Sequence, residues 1–421
     1  MMPDTDDRTH APLIPAPPIP APSIPMSLPQ LGEEEAAAAR RAILSGWVTQ
    51  GPEVAAFERE FAAFVGAPHA CAVSSCTTAL HLALAALGVG PGSEVVTVSS
   101  SFIATANAVR YVGAIPVFAD VEADSGNIDP DQVARAIGPR TRAILVVHQI
   151  GLPCNLDRIL AIAAERGVPV IEDAACAIGS EILRDGEWVR IGRPLGHVAC
   201  FSFHPRKMLT TGDGGMLTTA DPELDRRFRL LRQHGMSVND LARHGSREVV
   251  FESYDEVGYN YRMTDIQAAI GRVQLARLPD FLALRREQAA CYADLLAGIP
   301  GLDLPREPSW ARTNWQSYCV RLSGGQDQRR VMQALLDRGI STRRGVMCAH
   351  LEPAWPSGTW RCTGHYGCGC SEERACAALA QSVAWRDQGL MLPIHHRLSA
   401  DDQRRVAAAL REVLAPTMET A

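Results

Sequence analysis

Between Ala70 and Thr219 the apolar residues fall in short unbroken runs: CAVSS (71–75), EVVTVS (94–99), IPVFADV (115–121), AILVVHQI (143–150), VPVIEDA (168–174), HVACFSF (197–203) and GGMLTT (214–219). Stretches of helical period separate several of them, among them ALHLALAAL (79–87), PDQVARAI (130–137) and LDRILAIAAERG (156–167). A strand that is apolar at every position is buried on both faces, and helices between such strands supply the cover. The pattern therefore predicts an α/β fold with a mostly parallel sheet and helices on both faces. In such sheets ligands bind at the carboxyl ends of the strands.

Outside this region the period is helical. EEEAAAARRAIL (33–44) and the stretch from Glu53 to Phe64, set off by Gly51-Pro52, read as two leading helices. After Leu278 come a long helix (DFLALRREQAACYADLLAGI), a strand (WQSYCVRL, 315–322) and two helices (328–339 and 400–414). Residues 3–25 are rich in Pro and Ala and have no apolar period, as expected of a disordered or polyproline tail. The organisation expected is a tail over 1–26, a large domain over 27–278 and a smaller C-terminal α/β domain over 279–421.

Composition narrows the class of protein. The 421 residues carry 41 Lys+Arg against 47 Asp+Glu, a net charge of −6, with 47% hydrophobic residues. Basic residues are scattered, which disfavours nucleic acid and anionic membrane as partners. No run approaches the roughly 18 apolar residues of a spanning helix, and the acidic start MMPDTDDRTH is no secretory signal. A cytoplasmic enzyme is expected. The 12 cysteines are spread along the chain and read as reduced, buried packing residues.

Three strand ends carry candidate chemistry. Ser74-Ser75-Cys76-Thr77-Thr78 opens a helix after a strand, where free N–H groups and the helix dipole suit a phosphate. Asp173 ends the apolar run Val170-Ile171-Glu172, where a carboxylate needs a cation to stay ionised. Lys207 follows FSFHPR ahead of TTGDGG, a place for a Schiff-base amine. Each has a plainer reading alone: a helix cap, a capping acid, a solvated lysine. Together, a phosphate cradle, an acid for a ring nitrogen and an amine match what pyridoxal 5'-phosphate (PLP) requires.

These residues lie in a longer pattern. SFIATANAV (101–109), VHQIGLPCNLD (147–157), VIEDAACAIGS (170–180), FSFHPRKMLTTGDGGM (201–216), GYNYRMTDIQAAIG (258–271) and LMLPIHHRLSADD (390–402), in this order over about residues 30–414, resemble the DegT-type sugar aminotransferases. The resemblance implies the fold type I aminotransferase architecture, with the large domain binding PLP. It also implies a ping-pong transfer from an amino acid, Glu or Gln, to a keto group of a nucleotide-activated sugar or related cyclic polyol.

The implied roles fall residue by residue. Lys207 is the Schiff-base lysine and proton shuttle, and Asp173 the partner of the pyridine nitrogen. Phe102 stacks on the ring. Thr77, the Cys76 backbone and Ser202 bind the phosphate. Asn260 reaches the phosphate across a subunit boundary, which implies a homodimer with shared sites. His204 and Arg262 are taken as substrate-binding residues.

The chain departs from the family pattern at several positions. Cys76 stands for a usual Gly, Cys176 for a Gln, His or Glu beside the cofactor's phenolic oxygen, Asp213 for Glu and Asn155 for Asp. Both Lys207 and Asp173 remain, so the departures read as tuning. A sugar dehydratase of the same superfamily carries His in place of the lysine and is disfavoured by Lys207; a non-catalytic regulator gains nothing from the intact pair. Cys362, His365, Cys368 and Cys370 have soft-ligand chemistry but not a standard zinc spacing, and no metal is expected.

Overall fold

The computed structural model describes residues 24–238, 249, 251–363 and 376–415. Helix α1 (Glu33–Leu44) leads into α2 (Pro52–Val65), which starts on a proline, where no N–H is needed, and stops at Gly66 with φ +80°. Strand–helix units follow: β1 (His69–Val73), α3 (Cys76–Ala86), β2 (Glu94–Val98), α4 (Ile103–Tyr111), β3 (Ile115–Ala119), α5 (Pro130–Ala136), β4 (Thr141–Val147), α6 (Leu156–Arg166) and β5 (Val170–Asp173). A hairpin, β6 (Glu181–Arg184) and β7 (Glu187–Arg190), precedes β8 (Val198–Ser202), β9 (Gly215–Thr219) and α7 (Pro222–Leu231). Helix α8 (Asp265–Leu296) leads to β10 (Leu302–Asp303), β11 (Ala311–Arg312), β12 (Tyr318–Leu322), α9 (Gln328–Leu336), β13 (Arg343–Arg344), β14 (Arg361–Cys362), α10 (Ala380–Gln388), β15 (Gly389–Leu392) and α11 (Ala400–Leu414).

The main sheet has the order β1-β9-β8-β5-β4-β2-β3-β14. Within it only β9 runs against the other strands. The fold is thus α/β with a mostly parallel sheet, as the unbroken apolar runs predict. Alternate residues of β4 feed opposite layers: Ile144 and Val146 pack with Phe57, Phe61 and Phe201, whereas Ala143 and Leu145 pack with Leu80, Leu84 and Phe228. Each fully buried Val, Leu, Ile or Phe side chain among these contributes about 1.5–3 kcal/mol relative to exposure. The carboxyl ends of β1, β2, β4, β5 and β8 share one edge, which places Ser74, Ser99, His148, Asp173 and Ser202 together.

A second sheet, β10-β12-β15-β13, packs Tyr318 and Leu392 against Tyr292 of α8 and Leu410 of α11. Ile24 is buried in this layer and pairs with Ile340. The hairpin β6–β7 pairs with β11 as a third, small sheet.

Two elements differ from the pattern reading. Helix α8 starts at Asp265, well before Leu278, and continues through Pro279. A proline in a helix removes one hydrogen bond and costs about 3 kcal/mol, but Leu275, Leu278, Phe281 and Leu282 are buried on both sides of it and hold the helix together. Strand β14 joins the edge of the main sheet beside β3, where Glu94 accepts from both Arg140 and Arg361 at 2.7 Å. A two-residue strand has no period to detect.

Candidate active site

Strand β5 ends on Asp173, which is buried. Burial pushes its carboxyl above the ordinary range; the Thr105 hydroxyl, the Ala175 N–H and the nearby Lys207 and His148 work in the opposite direction. Thr105 Oγ1 donates to Oδ2 at 2.7 Å and the Ala175 N–H to Oδ1 at 3.1 Å. The preceding Glu172 faces the other side of the sheet and pairs at 3.0 Å with buried His148.

On the neighbouring strand β8, Ser202 leads into the turn that carries Lys207. The Lys207 N–H donates to the His204 carbonyl at 2.8 Å, and its Nζ lies 3.0 Å from Cys176 Sγ. Burial acts to lower the lysine's pKa, but Cys176, Cys76 and Asp173 outweigh it and the ammonium titrates above its ordinary range. Burial also pushes the Cys76 thiol well above its ordinary range. The glycine turn explains its own composition. A Cβ on Gly215 would lie 2.5 Å from the Ser75 carbonyl and 2.7 Å from the Cys76 nitrogen, so only glycine lets β9 pass the start of α3.

At that start Ser75 and Thr78 form a reciprocal cap: the Thr78 N–H donates to Ser75 Oγ and the Ser75 N–H to Thr78 Oγ1. The N–H groups of Cys76 and Thr77 find no protein acceptor among the described residues. Two free donors at a helix N-terminus can hold an anion. Phe102, just before α4, has 63% of its surface exposed, unusual for a phenylalanine beside buried strand ends.

His204 lies half-buried one turn before Lys207; burial and then Arg206 lower its pKa, and its Nδ1 accepts from the Arg206 N–H at 3.2 Å. Arg262 is half-buried and its backbone pairs with Val73 at the end of β1, while the Ser74 N–H donates to the Tyr261 carbonyl at 2.8 Å. Asn260 is exposed on the same segment. Asn155 caps α6, and the Asp213 carbonyl accepts from Thr211 and Gln267. His365, Cys368 and Cys370 lie outside the described residues. Cys362 is buried in β14, the ten described cysteines form no disulfide with one another, and no cluster of three or more His, Cys, Asp or Glu placed to hold a metal occurs among the described residues.

Residues that the motif reading passed over also shape this edge. Asn314 Nδ2 donates to the carbonyls of Cys176 and Ile178 at 2.8 Å, and Gln316 Nε2 to that of Arg206 at 2.6 Å, clamping both sides of the lysine turn. Gln149 Nε2 donates to the Ser100 carbonyl at 2.5 Å. Thr105 and Ser101 stand inside SFIAT without a role in that reading. One signal was open to counting: of the 41 basic residues 40 are arginine, and Lys207 is the only lysine in the chain.

A model of the DegT/DnrJ/EryC1/StrS aminotransferase family matches residues 29–411. The spore coat polysaccharide biosynthesis protein SpsC of Bacillus subtilis (strain 168) is 38% identical over 392 residues, covering 92% of this chain and 96% of the relative. The aminotransferase TlmJ from Streptoalloteichus hindustanus superposes with a TM-score of 0.81 at 37% identity, over 93% of this chain and 99% of that one. The PLP form of Spr1654 from Streptococcus pneumoniae gives a TM-score of 0.82 at 26% identity, over 93% and 98%. No helix among the described residues is long and apolar enough to cross a membrane. With nearly its whole length matched, the chain belongs to the DegT/DnrJ/EryC1/StrS aminotransferase family and is a PLP-dependent aminotransferase.

Proposed function

We propose that the enzyme moves an amino group from Glu or Gln to a keto group of a nucleotide-activated sugar or related cyclic polyol, in two half-reactions at one site. The observation that carries this reading is that the only lysine of the chain lies half-buried at the edge where β5 presents buried Asp173, with its Nζ 3.0 Å from Cys176 Sγ.

The side chains fit PLP. The free N–H groups of Cys76 and Thr77, with the Thr77 and Ser202 hydroxyls, suit a phosphate; the exposed Phe102 ring suits a stacked pyridine; Asp173 suits a protonated ring nitrogen. When bound, PLP acts as an electron sink for the carbon that carries the amino group. Lys207 would hold the cofactor through its Nζ, release it to the amino donor, and then move the proton at the reacting carbon. Cys176, in contact with Nζ, sets how readily that amine loses its proton. His204 and Arg262 flank the lysine and the start of α3, where they would orient substrate. Asn260, exposed on the Arg262 segment, would complete the phosphate site of the partner subunit in a homodimer.

Single half-reactions test the reading. The PLP-loaded protein mixed with Glu or Gln should lose the absorption band of the lysine-bound cofactor, and a ketosugar from a defined panel should restore it. Failure of every amino acid to change that band would overturn the transfer. A response to an amino donor with no return on any ketosugar or keto-polyol would overturn the acceptor class.

A further inference from the structure

Asp173 is buried with no arginine or histidine side chain among the described residues bonded to it, yet a carboxylate facing a ring nitrogen is useful only when ionised. Its Oδ2 accepts from Thr105 Oγ1 at 2.7 Å, and Thr105 Oγ1 lies 2.8 Å from Ser101 Oγ. All three side chains are buried. An ionised carboxylate can only accept, so the Thr105 hydrogen points at Asp173. The Thr105 oxygen must then accept from Ser101.

The opposite direction fails. A neutral Asp173 donating to Thr105 would turn that hydroxyl toward Ser101, whose own hydrogen would have no acceptor among the described residues. A buried donor without a partner is disfavoured. The backbone around Ser101 is held in place. Its N–H is held by the Ser99 and Met347 carbonyls, the Ala349 N–H donates to the Ser99 carbonyl, and Ser99 Oγ meets His350 Nδ1 at 2.5 Å.

We propose that Ser101 and Thr105 form a one-way hydroxyl chain that keeps Asp173 ionised against its burial, and so act as positioning residues for binding the protonated ring nitrogen of PLP. The proposal rests on the assignment of Asp173 above. The chain works together with the Ala175 N–H and the charge of Lys207, the other influences on this carboxylate that favour its ionised form, along with that of His148. It also ties the Asp173 carboxylate to the segment 347–350, at the far end of the hydroxyl chain.

The test compares two ligands of the apoenzyme: PLP and its 1-deaza analogue, in which carbon replaces the pyridine nitrogen. Thr105→Val keeps the shape and removes the donor. It should weaken PLP binding by about tenfold or more, the effect of losing a hydrogen bond to a charged group, while analogue binding stays within about twofold of wild type. Thr105→Ser should restore PLP binding, and Ser101→Ala should give a smaller loss, again for PLP alone. Equal losses for both ligands would mean a structural role and overturn the proposal, as would unchanged PLP binding in Thr105→Val and Ser101→Ala. If Thr105→Val does not fold, Ser101→Ala decides by the same comparison. A wild-type protein that binds PLP and its analogue equally would overturn the Asp173 assignment itself.

Discussion

Cys176 sits where its sulfur touches the Lys207 amine, and the consequence is a matter of protons. Burial alone would lower the lysine's pKa, and the neighbouring sulfur is among the influences that raise it. Only the neutral amine attacks an aldehyde. Replacing Cys176 by Ala removes a raising influence and leaves burial in place, so the pKa falls and the neutral fraction near pH 8 grows. Stopped-flow capture of PLP by the Cys176→Ala apoenzyme should therefore be faster than wild type at pH 7–8 and converge with it at high pH. Coincident rate–pH curves would show that the sulfur has no such effect. At this scale the letters of the candidate residues are visible in the chain, but directions between them are not. Lys207 could be singled out by counting, whereas the bond from Thr105 to Asp173 joins residues 68 positions apart on α4 and β5 and exists only in three dimensions.

Among the elements, α1 and α11 lie where their helical period places them, because each period is unbroken from cap to end. Helix α8 does not, because Pro279 interrupts the period while tertiary packing overrides the interruption. The start of α2 is held by a residue of that same helix: Asp265 accepts from the N–H groups of Gly51, Glu53 and Val54 at 2.7, 3.1 and 3.0 Å. Asp265→Ala frees three donors at a helix start and should cost about 1–3 kcal/mol in urea unfolding.

Glu58 of α2 makes a stronger link. It accepts from the Ala72 N–H of β1 and from Arg229 and Arg232 of α7 and its C-cap. Burial would raise this carboxyl, but Arg232 and Arg229 outweigh it and hold it below its ordinary value of 4.5. A carboxyl depressed in the fold contributes stability above that value and loses it as the pH falls below. Glu58→Gln leaves Arg232 buried without a counter-charge, at a cost of about 3–5 kcal/mol near pH 7. The gap between wild type and variant should narrow as the pH drops below the ordinary carboxylate range. A gap independent of pH would mean that the charge of Glu58 is not what stabilises the link.

At the scale of the whole molecule, Phe102, Tyr111, Phe251 and Val257 stand largely exposed, and Phe102 and Asn260 are candidates for the cofactor site. A partner subunit would cover such residues. If Asn260 serves the partner's site, Lys207→Ala and Asn260→Ala proteins, each impaired alone, should complement when dissociated and remixed. Half of the dimers then carry one fully wild-type site, and activity should recover to about a quarter of wild type. No recovery would place Asn260 in its own subunit's site or outside any site. The α/β class was legible because buried strands need apolar residues at every position. The joining of β14 to the main sheet was not, since two residues carry no pattern.

The central claim is that this fold exists to hold PLP on Lys207, and the chain makes that claim open to a direct test because it offers one lysine and one terminal amine. PLP-loaded protein, reduced with borohydride, digested and sequenced by mass spectrometry, should carry one pyridoxyl group, on the Lys207 Nζ. A reduced protein with no label, or with label confined to the N-terminal amine, would contradict the account.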